Sequence, residues 1–276
     1  MLEISQLTPA GLHNPQVKYY LALKSSAKAN AENLVCLEGL RALSLALKAN
    51  LEIHSFFVCP ERLRGEAGRQ MATKIIVAGV PSYSISERVL NAIVEWDGPD
   101  GLAAIVKLPQ YRWQDIPLAA TNMLLVLDGL QIPGNIGTII RCADGAGADG
   151  IIITNRKQRL SHPRVVRASM GSLFSFPIIE TQTSSAINWL HQHGFSIVTT
   201  NPSASLSYRQ ASYLERVAVV LGNEHHGIAP EWFEAQDMSV SIPMYGRADS
   251  LNVGNAAVLM LYEVLHQQGL PRSRSP

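Results

Sequence analysis

The sequence predicts an α/β protein of two domains, and three observations carry that expectation. Extended and helical patterns alternate along the first hundred residues, as they do in small α/β units. Residues 108–121, LPQYRWQDIPLAAT, hold two prolines and no clear period, and are read as a linker. The chain then restarts on MLLVLD, 123–128, a continuous apolar run of the kind buried on both faces of a parallel sheet.

The first domain, 1–107, opens with strands expected at NLVCLEG (33–39) and IHSFFVC (53–59). Between them EGLRALSLALKAN (38–50) places Leu40, Leu43 and Leu47 near helical spacing and ends on Asn50, a helix stop. KIIVAG (74–79) and GLAAIVK (101–107) read as further strands, with a helix at 86–95 between them. The second domain, 122–268, continues from 123–128 through a helix at 135–147, a strand at 150–154, a short helix at 164–170 and a strand at 175–179. A helix at 183–193 follows, then strands at 195–200, 217–221 and 238–242 and a closing helix at 253–267. That order implies helices on both faces of the sheet. The tail, 269–276, is polar and is expected to be disordered.

Bulk composition excludes more than it selects. A net charge of +1, from 23 basic and 22 acidic side chains, argues neither for nor against nucleic acid, so local distribution has to decide. Cys36, Cys59 and Cys142 are odd in number and lack a CxxC spacing, which fits free thiols in a reducing compartment. The opening MLEISQLTPA has no basic region followed by an apolar stretch, and no run approaches the roughly 18 apolar residues of a membrane span. The cytoplasm is therefore the expected location.

Residues 145–150 spell GxGxxG, the dinucleotide fingerprint, but in the wrong context. Those glycines should follow a strand and open a helix. Here they close the helix at 135–147 and lead into the strand at 150–154, so they read as a turn.

Three segments carry chemistry. In NIGTIIR, Asn135 to Arg141, the asparagine is placed as a helix cap, and Gly137 and Arg141 share one helical face. An arginine there suits an anionic or polar ligand; an ordinary surface arginine is the competing reading. In VVLGNEHHG, 219–227, a buried strand ends in Gly222 and Asn223, the glycine letting a ligand approach the backbone, and Glu224 follows. His225 and His226 invite a metal, but neighbours on a loop rarely face one ion and no third ligand has a fitting spacing, so no metal is expected. In SIPMYGRADSLNVGNAAV, from 241, a strand ends at Ile242 and Met244 and a helix starts after Ser250, Leu251 and Asn252, where free amides can meet a carboxylate or phosphate. A plain capped helix is the alternative. Separately, Arg156, Lys157, Arg159, Arg164 and Arg167 lie in a stretch, 150–179, without one acidic residue. Such a stretch either contacts an RNA backbone or is a solvated face.

Taken in order from Asn135 to Asn252, the set NxGxxxR, GNE and IPMxGxxxSLN resembles the SpoU family, the TrmH-like branch of the SPOUT superfamily of RNA ribose 2′-O-methyltransferases. The resemblance covers the whole second domain. The first domain resembles the family's small RNA-binding domain, with LVCLEGLRALSLAL similar to its opening and GLAAIVK to its last strand. The resemblance implies a trefoil-knotted parallel-sheet methyltransferase domain that binds S-adenosylmethionine and completes its site across a homodimer. It implies cofactor contacts at Thr200, Asn201, Leu221, Gly222, Glu224, Ile242, Met244 and Leu251. It assigns Arg141 to the reacting hydroxyl, and Asn135, Glu224, Ser250 and Asn252 to orienting the substrate or supporting that arginine. His225 stands where the family usually has glycine.

A free guanidinium is a poor base at neutral pH. Arg141 is therefore better suited to steadying a phosphate or positioning the hydroxyl than to removing its proton. The expected substrate is large-subunit (23S) ribosomal RNA, because minimal tRNA-specific relatives lack a separate first domain. A tRNA 2′-O-methyltransferase and a non-catalytic RNA-binding protein of the same fold are the alternatives, and the basic stretch disfavours a protein or small-molecule substrate.

Overall fold

The structure, a computed structural model, describes residues 4–26, 32–95, 100–213, 215–223 and 226–269. It divides into two compact units, one spanning Met1–Pro109 with Arg159–Ser175, the other Gln110–Gln158 with Phe176–Pro276.

The first unit runs β1 (Thr8–Pro9), α1 (Pro15–Ser25), β2 (Leu34–Glu38), α2 (Gly39–Lys48), β3 (Ile53–Val58), α3 (Gly65–Val77), β4 (Ser82–Ser84), α4 (Glu87–Ile93) and β5 (Leu102–Lys107). Its sheet has the order β1-β4-β3-β5-β2, with β5 antiparallel to both neighbours and the other pairs parallel. Val17, Tyr20 and Leu23 of α1 and Leu90 and Ile93 of α4 form one core cluster with Phe57 and Ile105 from the sheet. Helix α1 was not expected; Asn14 starts it, its Oδ1 accepting from Gln16 N at 2.9 Å, and Pro15 fixes the first turn.

The strand expected at 74–79 is instead the end of α3. Ala72, Ile75 and Ile76 are buried at spacings of three and four, so the apolar run KIIVAG is one face of a helix seen through too short a window.

The second unit runs β6 (Asn122–Asp128), α5 (Pro133–Gly145), β7 (Gly150–Thr154), then, beyond the segment given to the first unit, β8 (Ile178–Glu180), α7 (Thr183–Gln192), β9 (Ser196–Thr200), β10 (Leu206–Ser207), β11 (Arg216–Leu221), α8 (Pro230–Ala235), β12 (Met238–Ser241) and α9 (Val253–Gln268). Helix α6 (Pro163–Ala168) lies in that intervening segment. Every pairing in the seven-stranded sheet, β10-β12-β9-β11-β6-β7-β8, is parallel. All seven residues of β6 are buried, and its apolar run from Met123 to Leu127 is what a strand covered on both faces requires. Leu124, Val126, Ala218 and Val220 on one face meet Leu190 of α7 and Trp232 of α8 in a single cluster. A parallel sheet sends all its carboxyl ends to one edge, so the loops after β6, β9, β11 and β12 converge there.

Two expectations change in this unit. The second half of the presumed linker is packed structure: Ile116 is buried in the sheet cluster, and Trp113 stacks on Trp189 at 4.7 Å and 18°. Arg216 Nε donates to Ala119 O at 2.7 Å and Asn122 Nδ2 to Pro117 O at 2.9 Å, so prolines here shape a fitted edge rather than a tether. The segment Arg159–Ser175, expected inside the second domain, belongs to the first unit. There α6 buries Val165 and Val166, and Arg159 hydrogen bonds to the end of α1.

The GxGxxG stretch is a turn. Helix α5 ends at Gly145, Gly147 takes φ +69° and β7 begins at Gly150, so no helix follows the glycines. Among the described residues no helix is long and apolar enough to cross a membrane. The expected disordered tail lies outside the described residues from 270 onward.

Candidate active site

The loops after β9, β11 and β12, with the start of α9, enclose a cavity of about 440 Å³ at the carboxyl edge of the second unit's sheet. Of the residues expected to hold a cofactor, Thr200, Asn201, Leu221, Gly222, Ile242, Met244 and Leu251 all line it. Glu224 and His225 lie outside the described residues.

Gly222 is required by its own loop. A β-carbon there would stand 2.6 Å from Gly227 O and 2.7 Å from Ile228 Cγ2. The loop is drawn over it by paired bonds, Asn223 N to Gly227 O at 2.8 Å and Gly227 N to Asn223 O at 3.0 Å. The Asn223 side chain fixes this arrangement, donating from Nδ2 to Gly129 O at 2.9 Å and accepting at Oδ1 from His226 N at 3.1 Å.

Beneath these loops sits Asp128, which the sequence reading missed. It is 3% exposed and accepts from Thr154 Oγ1 at 2.8 Å, Asn155 Nδ2 at 2.7 Å and Ala229 N at 2.6 Å. A buried carboxylate is tolerated only when donors replace its water. Here those donors tie the ends of β6 and β7 to the loop after β11. The available signal was a single acid ending an otherwise apolar strand.

The third segment meets the first at the helix starts. Asn252 caps α9, its Oδ1 accepting from Gly254 N at 2.9 Å, and its Nδ2 donates to Asn135 Oδ1 at 3.2 Å. Asn135 is not the cap of α5, as had been expected. Ile132 holds that position because Pro133, with its fixed φ and missing N–H, is favoured at the first helical residue. Ser250 and Leu251 line the cavity, and Leu251 remains 37% exposed, an apolar side chain left open at the rim. Arg141 is exposed on α5, does not line the cavity, and makes no ion pair among the described residues.

These residues fit S-adenosylmethionine. The volume lies within the roughly 300–1,000 Å³ of small-molecule sites, and such sites combine apolar walls with a few fixed polar groups. Leu221, Val240, Ile242, Met244 and Leu251 supply the apolar walls for a flat base. Thr200 Oγ1 and Asn201 Oδ1 are engaged with Val220 O and Ser203 N, which fixes the loop whose backbone borders the cavity.

The five basic residues have different fates. Arg159 is 5% exposed, with guanidinium bonds to Leu23 O at 3.0 Å, Lys24 O at 3.2 Å and Ser161 Oγ at 3.2 Å. Its expected RNA contact is therefore corrected: it anchors the chain internally. Arg156 pairs with Glu180 at 2.8 Å, the first acid beyond the stretch that had looked uncompensated. Lys157, Arg164 and Arg167 are exposed. His162 caps α6 through Nδ1, which accepts from Arg164 N at 3.1 Å; burial, then the charges of Arg159 and Arg164, lower its pKa. Among the described residues no group of three His, Cys, Asp or Glu side chains could hold a metal.

Comparison with known proteins settles the family. Residues 122–262 match the model of the SpoU rRNA Methylase family. The chain belongs to that family. Residues 14–104 match the MRM3-like substrate binding domain. Across nearly its full length the SpoU chain is similar to RlmP of Bacillus subtilis (strain 168), a 23S rRNA guanosine 2′-O-methyltransferase, at 27% identity over 91% of this chain and 96% of that one. Among solved structures, an AdoMet-bound rRNA methyltransferase from Sinorhizobium meliloti superposes with a TM-score of 0.83 at 32% identity, covering 93% of this chain and 96% of the other. The SpoU methyltransferase AviRb from Streptomyces viridochromogenes, solved with AdoMet, gives 0.82 at 27% identity over 92% and 98%. The α/β fold with a parallel sheet is shared with both.

Proposed function

We propose that this SpoU family member transfers a methyl group from S-adenosylmethionine to a ribose 2′-hydroxyl of large-subunit ribosomal RNA. The observation that carries the reading is the cavity at the sheet edge, which Gly222 and Asn223 of one segment and Ile242, Met244 and Ser250 to Asn252 of another line together, while Asn135 of NxGxxxR is tied to it through Asn252. The relatives' names, a 23S rRNA 2′-O-methyltransferase among them, support the substrate class.

The cofactor supplies an electrophilic methyl on a sulfonium. The chain supplies position: proximity of the hydroxyl to that methyl removes much of the entropic barrier. Asn252 and Asn135 hold the rim where the ribose enters, with Ser250 beside them, and Glu224, outside the described residues, keeps the supporting role that the family resemblance gives it. Arg141 steadies a substrate phosphate or the hydroxyl rather than taking its proton, because a guanidinium is a donor and not an acceptor. Because Arg141 does not line its own chain's cavity, it is suited to a site completed by a second copy, and the working form is a homodimer with the knotted threading of the family. Lys157, Arg164 and Arg167, and Arg156 beyond its pairing, are the cations available to RNA from the basic stretch. The location that goes with this substrate is the cytoplasm.

Calorimetry with S-adenosylmethionine, paired with methyl-transfer assays on ribosomal RNA, tests the reading. Arg141→Ala should bind the cofactor nearly as the wild type does and transfer nothing. Full transfer by that variant, or no cofactor binding by the wild type, would overturn it.

A further inference from the structure

The expected RNA contacts lose Arg159 to the interior and share Arg156 with Glu180, so the basic stretch is reduced and further charge for a polyanion is to be sought on other surfaces. The first unit holds a groove of about 660 Å³ between α2 and α3. Arg41, Ser44 and Lys48 face it from α2, at spacings of three and four, so they form one stripe. Ala67, Gln70 and Lys74 form the matching stripe on α3. Arg41, Lys48 and Lys74 are exposed and make no ion pair among the described residues. The single acid on the wall, Asp100, is committed to the start of α2, accepting from Leu40 N at 3.2 Å.

We propose that this groove seats the phosphate backbone of the RNA, with Arg41, Lys48 and Lys74 as its contacts; the inference rests on the RNA-methyltransferase reading and names the surface the substrate uses. The charge pattern favours a strand of phosphates over a single anion. Arg41 and Lys48 stand two turns apart, roughly 10 Å along the helix axis. One strand of a nucleic-acid duplex carries a phosphate about every 3.4 Å of its axis, so the stripe matches a run of phosphates rather than one. The small side chains of Ser44 and Ala67 and the uncharged Gln70 lie between the cations on the two stripes. No base-reading group is implied, so the contact is blind to sequence and sets position alone.

Filter binding of in vitro transcribed 23S rRNA across a series of salt concentrations tests this. Each phosphate contact contributes about 0.7–0.9 to the slope of log affinity against log salt. The combined variant Arg41→Gln, Lys48→Gln, Lys74→Gln should lose about 2–2.7 units of that slope and bind more weakly at low salt. Its cofactor affinity and melting temperature should stay at wild-type values, because the three side chains are exposed and lie outside the methyltransferase unit. Arg88→Gln, an exposed cation on α4 of the same unit, should keep the wild-type slope. A wild-type slope in the triple variant would overturn the inference, and a change in oligomeric mass alongside that slope would mark the groove as a protein interface. RNA binding by the wild type that does not depend on salt would instead defeat the RNA reading itself.

Discussion

The amide of Asn252 donates to Asn135 Oδ1 across 3.2 Å, joining the start of α9 to the first turn of α5. The same side chain caps α9 through Gly254 N at 2.9 Å. One asparagine therefore fixes a helix start and ties together two segments that lie far apart in the chain. Asn252→Ala should cost about 1 kcal/mol of stability, the usual value of a lost cap, and abolish most transfer. Asn252→Asp keeps the capping acceptor and loses only the donor, so it should melt near the wild type yet remain impaired. A double-mutant cycle with Asn135→Ala should show a coupling of about 0.5–1 kcal/mol, and independent effects would deny that the bond matters.

Gly222→Ala tests the loop that covers the cofactor cavity. Its new β-carbon would stand 2.6 Å from Gly227 O, a backbone atom that cannot rotate away. The expected result is a loss of roughly 1–3 kcal/mol together with weakened cofactor binding, as for other overpacked sites. Calorimetry on a variant that still folds would separate the two effects.

Arg159→Gln separates the internal anchor from the RNA contacts. Removing a buried guanidinium that bonds Leu23 O and Lys24 O should destabilise the first unit by about 1.5–3 kcal/mol, the range for hydrogen bonds to charged groups. The salt slope of RNA binding should not change. A reduced slope with unchanged stability would return Arg159 to the RNA surface.

His162 links stability to pH. Its Nδ1 accepts the Arg164 N–H only when unprotonated, and burial and neighbouring cations lower its folded pKa. The unfolded chain therefore binds the proton more readily. The cap's contribution is fully present above the unfolded value of about 6.5 and is lost as pH falls below it. His162→Asn retains a capping acceptor and should flatten this part of the melting temperature profile between pH 7 and 5. An unchanged profile would assign the dependence to other groups.

The elements of the second unit were legible because their signals are local and long. β6 carries an unbroken apolar run from Met123 to Leu127, and α9 follows a capping asparagine. KIIVAG misled because a short apolar run looks alike on a strand and on the buried face of a helix, and the deciding residue, Ala72, lies outside it. The cavity residues were readable through the ordered set of segments and not from any one alone. The partners of Arg159 and Asp128 were not readable, although an acid ending an apolar strand marked Asp128 itself. The partners that define them, Leu23 O and Ala229 N, are backbone atoms distant in sequence, and nothing in a side chain's identity announces where a remote carbonyl or amide will fall.

The most direct measurement is the mapping of ribose methylation in 23S rRNA after incubation of the purified chain with S-adenosylmethionine. Resistance to alkaline cleavage at a defined nucleotide should appear with the wild type and be absent with Arg141→Ala, while both bind the cofactor. A methyl group on a base or on protein, or a ribose methyl of equal yield from the variant, would contradict the assignment.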